Sequence, residues 1–112
     1  NRLCLLFIGQ PELQRRLAMV VHEALAQRIV VRYHLRGLIR DEVPAYLQHR
    51  LRLAGTELPL FDPPAQEALF QPSGGKLRRL NLLAHHCLFA AAADNAQAVT
   101  EQHVATARPE VT

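Results

Sequence analysis

The stretch SGGKLRRLNLLAHHC, residues 73–87, carries the side chains of this sequence that are best suited to meeting an anion. Two glycines allow a sharp turn, and Lys76, Arg78 and Arg79 then open an apolar helix. Cations at a helix N-terminus oppose the helix dipole, so this arrangement gives up some stability. The pattern therefore indicates an anion that compensates for these charges.

A second candidate, Arg28, lies where a predicted helix ends and a predicted strand begins. One interpretation is a cation that balances the negative end of the helix dipole. Another is an arginine finger, a guanidinium that one subunit presents to the phosphate bound by its neighbour, where charge redistributes in the transition state. Position alone favours the first interpretation.

The sequence HHC, residues 85–87, does not predict a metal site. Adjacent helical residues point about 100° apart, whereas chelation by one helix favours spacings of three or four. We therefore expect no bound metal. Cys4 and Cys87 each lie in an apolar run, which favours reduced, buried thiols. We expect His103 at the surface or at its boundary.

The elements that position these residues are of two kinds. LCLLFI (3–8) is short and apolar, and RIVVRYHL (28–35) is rich in β-branched residues, so each predicts a strand. A helix from Pro11 to about Leu25 joins them, which makes a parallel crossover. Gly37 follows as a candidate hinge.

From residue 40 onward the pattern predicts helices only. The first helix is predicted in RDEVPAYLQHRLRLAG and stops at Gly55. The second starts at Asp62, an N-cap residue followed by proline. The third follows Gly75. Thr100 opens a fourth helix, which Pro109 is expected to end. The sequence thus predicts a mostly α fold with a small α/β portion.

Four segments follow one another in the chain: GQPEL, LAQRIVVRYHL, RDEVPAYLQHRLRLAG, and SGG with an arginine three residues later. In this order they resemble the C-terminal half of an AAA+ ATPase. The resemblance extends from Leu3 to about Arg108. Its type is that of ExeA, the general secretion pathway protein A family, with similar ATPases encoded beside transposases. The resemblance implies that residues 1–38 are the C-terminal part of the αβα ATPase core, with two parallel strands and one helix. Residues 39–112 would be the four-helix lid.

The resemblance also implies roles for single residues. Gln10 would be the sensor 1 residue that orients water or reads the γ-phosphate, and Arg28 would be the arginine finger, acting in trans. Arg78 would be the sensor 2 arginine, which binds the nucleotide of its own subunit from the lid. The family usually has a proline before that arginine. Here Leu77 stands there and Arg79 follows, so Arg79 is the substitute candidate.

The sequence contains no G-x-x-x-x-G-K-[ST] phosphate loop and no apolar strand ending in an acidic pair for Mg²⁺. The resemblance therefore implies that ATP and Mg²⁺ are cofactors of a longer parent ATPase. We expect none in this segment alone, and no activity. The chain begins with Asn1 rather than Met, in keeping with an excerpt of a longer protein.

Three functions fit the parent. In the first, the parent couples ATP hydrolysis to the assembly of a secretion or pilus apparatus. In the second, it is an ATP-dependent DNA-binding helper of a transposase. In the third, it is a non-catalytic interaction module. The net charge of +3 permits an anionic partner without demanding one. We expect a cytoplasmic protein, in the first case at the inner membrane.

Self-association is expected of both the parent protein and the isolated segment. An arginine finger that acts in trans implies a homo-oligomer, either a ring or a filament. In the isolated segment, the unpaired edges of the two predicted strands favour strand-mediated self-association.

Overall fold

The computed structural model describes residues 2–111 and divides the chain into two compact units, one up to Leu35 and one from Arg36 onward. The first unit contains α1 (Pro11–Leu17), a 3-10 turn (Val20–His22) and α2 (Glu23–Ala26). The second contains α3 (Val43–Leu53), α4 (Pro63–Ser73), α5 (Leu77–Ala93) and α6 (Glu101–Val111). No helix among the described residues is both long enough and apolar enough to cross a bilayer.

The helix predicted from Pro11 to about Leu25 is interrupted. It begins at Pro11 as expected, but α1 ends at Leu17 and Met19 adopts an extended backbone, with φ −70° and ψ 145°. The valines at positions 20 and 21 follow directly and open the 3-10 turn. Two adjacent β-branched residues lower the helix propensity at this point.

The small α/β portion expected in the first unit is wrong for the residues that the structure describes. Within 2–111 no β-strand forms, and no backbone–backbone hydrogen bond involves residues 3–8 or 30–35. Their side chains lie in solvent, with Leu6 83% and Val30 93% exposed. A β-strand depends on a neighbouring strand for its backbone hydrogen bonds, so strand propensity alone does not form one.

The second unit forms one hydrophobic core from its four helices, which are the four predicted after residue 40. The buried apolar side chains are Val43, Leu47, Phe61, Ala65, Leu69, Leu80, Leu83, Ala84, Cys87, Ala91, Val99, Val104 and Ala107. Five of these belong to α5, which packs against α4 and α6. The unit is therefore organised around α5, the helix that carries Arg78.

The helix boundaries follow from local signals with one exception. Asp62 caps α4, and its Oδ1 accepts the N–H of Ala65 at 2.9 Å. Gly55 has a φ of +101° just beyond α3. The expectation that Pro109 ends α6 is wrong, because the helix continues to Val111. Proline in the last helical turn removes only one intrahelical hydrogen bond.

Two contacts tie α6 to the rest of this unit. Phe61 and Val99 form an isolated parallel bridge between the segments that precede α4 and α6. His103 is buried, so its expected surface position is wrong. Its Nδ1 accepts the N–H of Thr100 at 3.0 Å, which leaves the proton on Nε2 to be donated to Asp94 Oδ2 at 3.1 Å. The histidine takes the place that glutamate has in a capping box.

Truncation of the core side chain Leu69 tests this packing. Leu69 is fully buried, so Leu69→Ala should lower the free energy of unfolding by about 2–5 kcal/mol through lost contacts and a cavity. Leu53 is 67% exposed, and Leu53→Ala should change it by no more than about 0.5 kcal/mol. Urea unfolding followed by circular dichroism measures both. Equal losses would contradict the core described here.

Candidate functional site

A left-handed turn of two glycines joins α4 to α5. Gly74, with φ 61° and ψ 21°, ends α4 and donates its N–H to the carbonyl of Phe70 at 2.8 Å. Gly75 follows with φ 75°. Lys76 returns to an extended backbone, and its carbonyl accepts the N–H of Leu80 at 2.8 Å as α5 begins. Glycine suits this turn because side chains disfavour positive φ.

The buried hydroxyl of Ser73 closes the same turn. Its Oγ donates to the carbonyl of Phe70 at 3.0 Å and accepts the N–H of Gly75 at 3.2 Å. The hydroxyl therefore serves as donor and acceptor within the turn, which is a structural role.

Residues 36–39, here called the strap, dock against this turn. The N–H of Leu38 donates to the carbonyl of Gly75 at 2.8 Å. A Cβ on Gly75 would overlap the carbonyl oxygen of Leu38, and a Cβ on Gly37 would lie 2.7 Å from the Gly75 oxygen. Two backbones thus approach more closely than side chains would allow. The sequence predicted Gly37 as a hinge, and the contact with Gly75 was missed, although the glycines at positions 37 and 75 are the sequence signal for it.

Glu42 holds the C-terminal end of the strap. Its Oε1 accepts the N–H of Ile39 at 2.9 Å and lies 3.3 Å from Nη1 of Arg36. The hydrogen bond from Ile39 is the main cause that lowers the pKa of Glu42, and the charge of Arg36 adds to it. The carboxylate therefore ties both ends of the strap together.

Arg40 fastens the residues after the strap to α4. Its Nε lies 2.9 Å from Oε1 of Glu67, and its guanidinium lies 5.4 Å from the ring centroid of Phe70. This ion pair is exposed and contributes little by itself. Together with the ring contact, it aligns the strap with the end of α4.

The cations that open α5 have no counter-charge among the residues that the structure describes. Lys76, Arg78 and Arg79 are exposed, and within residues 2–111 none of their side chains has a hydrogen bond or an ion pair. The free N–H groups of the first helical turn add a positive partial charge. This end of α5 is therefore a positive surface, as the sequence indicated.

Arg78 and Arg79 face different surroundings. Asn81, one turn beyond Arg78, accepts the hydroxyl of Tyr46 on α3 at 2.6 Å, a structural contact between the two helices. Arg79 shares a pocket with Arg108 of α6. The pocket is lined by Pro72, Ser73, Arg79, Leu83, Arg108 and Val111. Arg78 lies outside that lining.

The other two candidate residues lie in the first unit. Gln10 is exposed at the N-cap of α1, where its side chain makes no capping bond. Arg28 is exposed just after α2, and its N–H donates to the carbonyl of Leu25 at 3.0 Å. The four candidates thus divide between the units, with Gln10 and Arg28 in one and the two α5 arginines in the other.

The cysteines differ in environment. Cys87 is buried as expected, and burial raises its pKa to about 11. Cys4 is exposed, so its predicted burial is wrong; the strand that would have covered it does not form. His85 contacts the edge of the Phe89 ring, with centroids 4.7 Å apart. The described part of the chain contains no group of three or more His, Cys, Asp or Glu that could hold a metal ion.

A relative of known name matches nearly the whole chain. Over 104 residues, 93% of the chain, the sequence is 41% identical to General secretion pathway protein A of Aeromonas hydrophila. The chain spans 19% of that relative's length. No protein-family model and no solved structure matches this chain. The identity confirms the resemblance to general secretion pathway protein A.

Alkylation tests the two thiol environments. The thiolate is the reactive form, and a pKa of about 11 for Cys87 in place of the ordinary 9.0 leaves about a hundredfold less thiolate at about pH 8. Iodoacetamide should therefore modify Cys4 in the folded chain and Cys87 only after denaturation. The Cys4→Ser variant provides the control, since it should incorporate no label until it unfolds. Rapid labelling of this folded variant would contradict the burial of Cys87.

Proposed function

The chain is a relative of general secretion pathway protein A, and from this premise we propose that it forms the nucleotide-sensing lid segment of a secretion-related AAA+ ATPase. In this proposal, residues 1–38 are the end of the ATPase core and residues 39–112 are the lid. The protein that contains them couples ATP binding and hydrolysis to the assembly of a secretion apparatus.

The observation that carries the proposal is the exposed guanidinium of Arg78 at the positive end of α5, which has no partner within residues 2–111. Phosphate oxygens fit this position because arginine offers a planar fork of donors and the helix end adds positive potential. Arg78 is the better candidate of the two arginines, because Arg79 lines the pocket that it shares with Arg108. We therefore assign the sensor 2 role to Arg78.

Other residues complete the proposed site. Arg28 would act on the nucleotide of the adjacent subunit, and Gln10 would orient water or read the γ-phosphate. ATP, with Mg²⁺, supplies the phosphoryl group and the charge that these side chains respond to. The chain contains no phosphate-loop sequence, so we propose that other parts of the longer protein supply the phosphate-loop and magnesium ligands.

The same proposal sets the partners. A finger in trans requires a homo-oligomer, and the exposed apolar residues of the first unit, such as Leu6 and Val30, offer surface for self-association. The name of the relative favours secretion-apparatus proteins as partners. We further propose that the longer protein acts at the cytoplasmic face of the inner membrane. Neither the transposase-helper function nor the non-catalytic module gains support from the comparison.

Replacement of Arg78 tests the proposal in the full-length protein. Because a hydrogen bond to a charged group contributes about 1.5–3 kcal/mol, Arg78→Ala should weaken ATP binding about tenfold to a hundredfold and lower the hydrolysis rate. Titration calorimetry and a phosphate-release assay measure the two quantities. Arg79→Ala should have a smaller effect on both.

Arg50→Ala is the matched control for this experiment. Arg50 is exposed near the end of α3, and its side chain has no ion pair within the described residues. Its removal takes away the same charge at a place distant in sequence from the α5 turn. Unchanged ATP binding in Arg78→Ala would refute the sensor assignment. An equal loss of ATP binding in Arg50→Ala would show that the effect arises from the lower net charge and not from a contact of Arg78.

A further inference from the structure

The strap and the turn before α5 are joined by a backbone hydrogen bond, and the Leu38 side chain packs against the hydrophobic core. Both polar backbone groups of Gly75 are engaged, since its N–H donates to Ser73 Oγ and its carbonyl accepts the N–H of Leu38. Any side chain at residue 75 would overlap the Leu38 carbonyl. The docked arrangement is therefore possible only with glycine at this position.

This contact lies close to the first turn of α5. Gly75 precedes Arg78 by three residues, and the first backbone hydrogen bond of the helix starts at Lys76. Because Ser73 and Leu38 hold Gly75 from two sides, they fix the direction in which α5 begins. The strap also follows Leu35 directly in the chain, where the first compact unit ends.

We propose that Leu38 and Gly75 are positioning residues for Arg78, and that docking of the strap and binding of a phosphate at Arg78 stabilise each other. This inference rests on the proposed nucleotide-sensing function. A docked strap orders the first turn of α5, so the phosphate meets a preorganised arginine. Coupling between two sites is reciprocal, so an occupied Arg78 in turn holds the strap in its docked state.

Hydrogen exchange at the Leu38 amide reports docking directly, because this N–H donates to Gly75. In the full-length protein, ATP should slow exchange of the Leu38 amide about fivefold or more, the lower end of usual coupling strengths. Arg78→Ala should abolish this slowing at ATP concentrations that still saturate the variant. Exchange at Val104 in α6, whose N–H bonds the carbonyl of Thr100, serves as the internal reference.

Two neighbouring glycines provide a matched pair of variants. Gly74→Ala and Gly75→Ala both place alanine at positive φ, 61° and 75°, but an added Cβ on Gly74 has no atom within 4 Å. The two variants thus share the backbone strain, and only Gly75→Ala displaces the strap. Gly75→Ala should remove the protection of Leu38 and weaken ATP binding about fivefold or more relative to Gly74→Ala.

Gly37→Ala is a second, milder variant in case Gly75→Ala does not fold. Its Cβ would lie 2.7 Å from the Gly75 oxygen, so it should speed exchange at Leu38 and weaken ATP binding in the same sense. Arg78-dependent ATP binding with unchanged Leu38 exchange, or equal binding by the two alanine variants at the turn, would overturn the positioning role alone. Absence of Arg78-dependent ATP binding would overturn the proposed function and this inference with it.

Discussion

The close approach of two backbones at Leu38 and Gly75 is the constraint on which the candidate site depends. It requires glycine at residue 75, and a Cβ added at residue 37 would lie only 2.7 Å from the carbonyl oxygen of Gly75. The adjoining contacts reinforce the same geometry, with Ser73 closing the turn from within and Glu42 tying the strap to itself. The start of α5 therefore depends on contacts with residues nearly forty positions earlier in the chain.

The core permits an unfavourable charge arrangement at that position. A cation in the first turn of a helix costs about 0.3–1 kcal/mol through the dipole, and three of them open this region without an acidic partner among the described residues. The buried side chains of α5 offset that cost, since each of its two buried leucines contributes about 1.5–3 kcal/mol. The helix is thus anchored by its apolar face, which leaves its first turn free to carry charge.

Local signals account for what the sequence predicted well. Asp62 before proline and Gly55 after a run of helix formers are sufficient to locate helix ends, because capping depends on a few adjacent residues. The strands at 3–8 and 28–35 were wrong, since strand formation depends on a partner that propensity does not reveal. The burial of His103 was missed because its role arises from Thr100 and Asp94 together, in a cap with histidine where glutamate is usual.

The candidate site, too, could be predicted from the sequence only in part. The sequence located the cations, but it did not distinguish Arg78 from its neighbour, because the pocket that receives Arg79 is completed by Arg108, twenty-nine residues away. The sequence predicted Gly37 as a hinge, and the structure places it in a docked contact. These two properties are compatible. A contact made through one backbone hydrogen bond contributes about 0.5–1.5 kcal/mol, which is comparable to the 1–3 kcal/mol by which a ligand at one site usually affects another. A bound phosphate could therefore strengthen or offset this hydrogen bond by a comparable free energy, which suits the contact to a reversible role.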